Sequence, residues 1–240
     1  MVQESVTEKK NPSQAPQIRL RLRFRKTGRL RYISHLDLVR TMTKAVLRAK
    51  LPVWYTMGFN PVPKMVFATP MSVGMESLDE LVEIRMTEKV DPRWAIEALN
   101  AAVPRELRFY EAYEPENKLT DVAYAEYEVL LSTELPLPET AESIRALLAD
   151  PTLKCTNLTH GKQKERTVGT QTGDAEVSLT DDGRIRMLLT LGVSQGEFLN
   201  PEYVVAALAE HLPLLAGSPL HNFVLTRRLR VLDASRERFV

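Results

Sequence analysis

Residues 18–25 read Ile-Arg-Leu-Arg-Leu-Arg-Phe-Arg, four arginines alternating with four apolar residues. Successive side chains of a strand point to opposite faces. The segment is therefore predicted to be a strand that buries Ile18, Leu20, Leu22 and Phe24 on one side. The other side presents Arg19, Arg21, Arg23 and Arg25 in a row. Four neighbouring guanidinium groups repel one another, so the row requires anions, either carboxylates of the same chain or phosphates of a ligand.

The rest of the composition bounds the answer without naming it. At 240 residues the chain holds one large domain or two small ones. No apolar run approaches the ~18 residues of a membrane span, and the N-terminus lacks the apolar core of a signal peptide. A cytoplasmic protein with no membrane contact is the expectation. Cys155 is the one cysteine, which excludes an internal disulfide and a cysteine-built metal or iron–sulfur site. His35, His160, His211 and His221 show no metal-ligand spacing, so neither metal nor cofactor is expected. The net charge of +1 hides a strong asymmetry. Residues 17–50 hold 11 Lys/Arg against Asp37, whereas residues 111–150 hold 10 acids against Lys118 and Arg145. Charge separated in this way suggests a basic face with its own partner.

Along the chain, residues 1–16 read as a disordered leader. A strand at 18–25 and a turn at Thr27-Gly28 precede a helix from about His35 to Lys50, with Ser34 as N-cap and Asp37 completing a capping box. Short strands follow at 53–56 and 64–69, then a strand at 80–88, a helix opened by Asp91-Pro92, and a strand at 107–113. The same order returns as strand 124–132, helix 139–149, strands near 153–159, 175–179 and 184–191, helix 201–212 and strand 222–232. The polar segment 161–174 reads as a loop. The expected fold is α+β: two tandem ferredoxin-like (β-α-β-β-α-β) units with antiparallel sheets, at 17–115 and 122–233, followed by a tail at 234–240.

In such a unit the first strand is central and one sheet face is open. Arg19, Arg21, Arg23 and Arg25 would then cross the open face beside Glu83, Arg85, Arg108 and Tyr110. Glu83 alone cannot neutralise so many cations. In the second unit Glu126 and Glu128 would face Arg228 and Arg230 in a balanced ladder. The first face therefore either packs on acidic residues of the second unit or binds an anion such as RNA, with Tyr110 available for stacking.

Three further segments carry a family likeness. They are Gly28-Arg29-Leu30-Arg31-Tyr32-Ile33-Ser34-His35-Leu36-Asp37-Leu38-Val39-Arg40, Gly58-Phe59-Asn60-Pro61-Val62-Pro63-Lys64, and Phe67-Ala68-Thr69-Pro70 with Val73-Gly74-Met75-Glu76-Ser77. Over residues 17–90 the chain resembles the radical SAM-linked family, a bacterial domain of poorly defined function found fused to a radical SAM protein or standing alone. Met57 and Val62 occupy places where that family often carries Gln and Arg. The resemblance implies a radical SAM protein as partner and RNA- or translation-related work. The chain has no CxxxCxxC motif and cannot itself be the radical enzyme.

The leading expectation is a non-enzymatic accessory protein. It would bind RNA, a radical SAM partner or both through Arg19, Arg21, Arg23, Arg25, Arg29, Arg31, Arg85, Arg108 and Tyr110, with loop contacts from Phe59, Asn60 and Lys64. One alternative is a metal-independent endoribonuclease of CRISPR-processing-like architecture. There His35, at the first turn of its helix, would act as general base beside Tyr32 and Ser34. A protein-binding adaptor is the other. Two strands compete for the second sheet position: with 53–56 there, the 58–64 loop shares an end with His35, and with 64–69 there it lies at the opposite end. Oligomeric state is not encoded in any visible pattern.

Overall fold

The computed structural model describes residues 17–159 and 162–240; the leader expected at 1–16 lies outside the described residues. The chain runs β1 (Ile18–Lys26), α1 (His35–Arg48), β2 (Met65–Phe67), β3 (Glu76–Met86), α2 (Pro92–Ala102), β4 (Leu107–Tyr113), β5 (Tyr124–Ser132), α3 (Leu137–Leu148), β6 (Lys154–Thr159), β7 (Lys162–Thr167), β8 (Glu176–Leu179), β9 (Ile185–Gly192), α4 (Pro201–His211) and β10 (Phe223–Leu232). The fold is mixed α+β with one large, mostly antiparallel sheet. Its strand order is β4-β1-β3-β10-β5-β9-β8, with β2 also on β3, and β6 and β7 form a separate hairpin.

Within each half the strands lie fourth, first, third, second: β4-β1-β3-β2 in one and β10-β5-β9-β8 in the other. The halves join where β10 runs parallel to the start of β3, Arg227 opposite Glu76 and Arg228 opposite Ser77. Ion pairs reinforce this seam. Arg227 reaches Glu76 at 2.9 Å, and buried Arg228 reaches Glu80 at 2.7 Å and donates to the Thr69 hydroxyl. Its guanidinium also lies 5.4 Å from the centre of the Tyr127 ring.

Local sequence explains the helices. Ser34 Oγ accepts from the Asp37 backbone N–H at 3.1 Å and donates back to the Asp37 carboxylate, closing the N-terminus of α1. The Asp91 carboxylate accepts from the N–H groups of Arg93 and Trp94, with Pro92 at the first helical position of α2. Leu38, Met42, Ala45 and Val46 of α1 and Ala95 and Leu99 of α2 pack on Leu20, Leu22 and Phe24 of β1. A second core gathers Tyr127, Val129 and Leu131 of β5 with Ile144 of α3 and Val204 and Leu208 of α4.

Two expectations change. The segment 161–174 is not a plain loop: β7 pairs with β6 over Lys162–Thr167, and a short 3-10 turn follows at Gly169–Gln171. The balanced Glu/Arg ladder of the second half also fails, because β10 carries a bulge between Arg228 and Arg230. An extra residue in one strand changes which face the following side chains take. Arg230 still pairs with Glu126, but Glu128 pairs with Arg186 and Arg227 while Arg228 turns to Glu80. Among the described residues no helix is long and apolar enough to cross a membrane.

Candidate functional site

The arginine row forms as a strand, with Leu20, Leu22 and Phe24 buried against the helices. Its middle is not presented to a ligand. Arg21 and Arg23 have no exposed surface. Arg21 donates to Glu83 at 2.7 and 3.2 Å and to the Asn117 carbonyl at 3.0 Å, and the Phe239 ring centre lies 4.9 Å from its guanidinium. Arg23 Nη1 donates to both Asp79 oxygens at 2.6 and 2.7 Å, and Glu111 stands 3.4 Å from its Nε. Burial works against the Arg23 charge, but the Asp79 carboxylate outweighs it and holds its pKa above the ordinary value. Asp79 also accepts from the Tyr110 hydroxyl at 2.6 Å. Burial and the Asp79 charge raise the Tyr110 phenol well above its usual range.

These contacts correct the assignment of Arg21 and Arg23 as free nucleic-acid contacts. β1 is flanked on both sides, and each neighbour supplies acceptors that the sequence reading left out. β3 begins at Glu76 rather than residue 80 and so brings Asp79 to the face. The connection after β4 contributes Pro115 and Asn117 carbonyls, which hold Arg19 at 3.0 and 2.9 Å. Residues 233–240 fold back along β10, where the Phe239 N–H donates to the Val231 carbonyl and Arg238 pairs with Glu111. Arg108 is half-buried and donates to the Pro104 and Leu107 carbonyls, and Arg85 is half-buried too. Of the predicted basic set, Arg25 and Arg29 stay exposed, and half-buried Arg31 lies over the Tyr32 ring.

A second set of exposed basic and aromatic groups lies on α1 and the hairpin before β2, where Arg40, Lys44, Arg48, Phe59 and Lys64 are exposed. β2 is 65–67, so the 58–64 loop enters it from the end away from His35, which packs edge-on against Phe67 with ring centres 5.2 Å apart. Ser34 is engaged in the helix cap, and Tyr32 is exposed beside Arg31. Ser34, Tyr32 and His35 thus each have a neighbour of their own: Asp37, Arg31 and Phe67. Trp54 and Lys64 pair through the backbone, as do Thr56 and Val62, which makes residues 54–64 a hairpin with its tip at Met57–Pro61. Gly58 at the tip has φ +144°, a conformation that residues with a Cβ rarely adopt. Phe59 beside it is 100% exposed and Met57 66%.

Between this hairpin and α1 lies a groove of about 530 Å³ whose lining is mainly apolar, with Val39 on the helix side and Val62, Met65 and Val66 on the other. Cations stand on both rims, Arg40 and Lys44 from the helix and Lys64 from the hairpin. Arg48 continues the helix rim one turn further, since positions four apart share a helix face. Asp37 is the acid nearby, and it pairs with Arg40 at 3.0 Å. Phe59, Asn60 and Lys64 were legible as a candidate loop. The helix rim was missed although its signal was present, in the spacing of Arg40, Lys44 and Arg48 opposite the apolar face of α1. Among the described residues no cluster of His, Cys, Asp or Glu is placed to hold a metal ion.

An α+β sheet protein with a basic-rimmed apolar groove between one helix and an aromatic-tipped hairpin is thus the class that the geometry defines. The chain belongs to the family described as an uncharacterized protein conserved in bacteria (DUF2344), which matches residues 19–201. No curated protein matches it. Among solved structures it is similar to a chain of the crystal structure of a Cbf5-Nop10-Gar1 complex, at 11% identity and a TM-score of 0.47. That likeness covers 93% of this chain and 52% of the other, so the chain spans about half the length of that relative. A second similarity is to an unknown protein from Galdieria sulphuraria, at 12% identity over 89% of this chain and 99% of that one, with a TM-score of 0.26.

Proposed function

We propose that this protein is a non-enzymatic RNA-binding accessory protein whose binding surface is the α1–hairpin groove rather than the arginine row. The observation that carries the reading is the pairing of Arg40, Lys44 and Lys64 on the rims of an apolar groove, one wall of which is the hairpin that carries the fully exposed Phe59 at its tip. Cations attract phosphates, and an aromatic face stacks on bases regardless of sequence. The buried arginines serve the fold. The strand order within each half supports reading both as ferredoxin-like units, with the first unit carrying the site. The radical SAM-linked resemblance of residues 17–90 extends the proposal: the bound RNA is presented to a radical SAM enzyme.

The test is fluorescence anisotropy of a labelled mixed-sequence RNA against salt. Affinity falls steeply as salt rises, and a Lys44→Glu/Lys64→Glu variant binds at least ~10-fold more weakly, with a salt slope lower by about one per lost phosphate contact. Unchanged affinity in that variant, or no RNA binding by the wild type, would overturn the proposal.

A further inference from the structure

Building on the RNA-binding reading, we infer that the groove selects unpaired RNA, with phosphates along α1 and bases turned onto the groove floor and Phe59. The floor is the first reason. Val39, Val62, Met65 and Val66 give the groove a mainly apolar lining, and about 530 Å³ falls in the range of roughly 300–1,000 Å³ that accepts compact ligands. Paired RNA offers such a floor nothing to bury, because its bases are stacked inside the helix and its surface is phosphate and 2′-hydroxyl. An unpaired strand offers base faces.

The spacing of charge agrees. Arg40, Lys44 and Arg48 recur every four residues, about 6 Å of helix rise per step. A straight row of this kind follows one extended strand, while Lys64 on the far rim limits how wide a ligand the groove admits. The hairpin tip supplies the third observation. The backbone bonds between Thr56 and Val62 brace the turn, and Gly58 sets a conformation that leaves the Phe59 ring wholly in solvent. An aromatic ring exposed on a braced turn is a stacking platform, the device by which sequence-tolerant single-strand binders hold successive bases.

The experiment compares three short RNAs of one sequence: single strand, blunt duplex, and single strand with central abasic positions. The single strand is expected to bind at least ~10-fold more tightly than the duplex, and the abasic strand to lose roughly tenfold. Phe59→Ala should weaken single-strand binding by roughly tenfold, with no change in salt slope or duplex affinity. Because Phe59 touches solvent alone, the variant keeps its melting temperature. Equal binding of duplex and single strand, or indifference to both abasic sites and Phe59→Ala, overturns the inference. If the Lys44→Glu/Lys64→Glu variant still loses affinity in that case, the RNA-binding reading survives. Binding of none of the three RNAs, with poly-glutamate bound instead, overturns both and assigns the groove to an acidic protein.

Discussion

Asp79 anchors the buried charge network, and its replacement tests whether the arginine row is structural. Its carboxylate accepts from Arg23 at 2.6 and 2.7 Å, from the Tyr110 hydroxyl at 2.6 Å and from the Val231 N–H at 3.2 Å. Asp79→Ala leaves the Arg23 guanidinium buried, with Glu111 at 3.4 Å as its remaining charged neighbour. Removing one partner of a buried ion pair costs about 3–5 kcal/mol, because the other charge stays desolvated. For a chain of this size each kcal/mol moves the melting temperature by about 2 °C, so calorimetry should show a fall of roughly 6–10 °C. Removing both charges behaves differently. In Arg23→Met/Asp79→Leu no uncompensated charge remains, so the desolvated-charge part of the loss should be recovered, while the Val231 N–H and the Tyr110 hydroxyl still lose their acceptor. Below the melting transition neither variant should alter RNA affinity or its salt slope, since neither residue borders the groove. A fall of less than about 2 °C for Asp79→Ala, or weaker RNA binding by the folded double variant, would refute the reasoning.

Arg21→Gln/Arg23→Gln should likewise destabilise the protein while leaving the RNA affinity of the folded chain intact, as anisotropy at low temperature would show. Ser34→Ala removes the acceptor of the Asp37 N–H and should cost about 1 kcal/mol, read as a lower melting temperature. The Ser34 hydroxyl, and after it Arg40, holds the Asp37 carboxyl below its ordinary value of 3.8. A depressed acid contributes stability above its unfolded value and loses it as pH falls through the folded one. The contribution is therefore present above pH 3.8 and fades below it, and NMR titration should find the Asp37 value rising in Ser34→Ala. His35→Ala should preserve the fold, and neither version should cut RNA in EDTA. Scission lost roughly 10²-fold with the substitution would restore the ribonuclease alternative.

The strand at 18–26, the cap of α1 and the Asp91-Pro92 helix start were legible because each depends on residues close in sequence. Side-chain alternation, a hydroxyl beside free N–H groups and the fixed φ of proline act within a few positions. The mixed α+β class was visible for the same reason. The fate of Arg21 and Arg23 was not, because their partners Asp79, Glu83 and Asn117 lie 56 to 96 positions away. Nor could the sequence place the bulge at Arg228–Arg230, which sends Arg228 across the seam to Glu80. The candidate site divides in the same way. Phe59 and Lys64 could be singled out from their turn-rich segment, and the four-residue rhythm of Arg40, Lys44 and Arg48 is written in the chain. That Lys64 and the Arg40 and Lys44 face of α1 meet across one groove depends on where β2 pairs with β3, Met65 opposite Ile84 and Phe67 opposite Val82. Local patterns determine which groups a face will carry. Only the packing of distant strands decides whether a row of charges is spent inside the protein or left for a ligand, because burial and pairing are properties of neighbours in space.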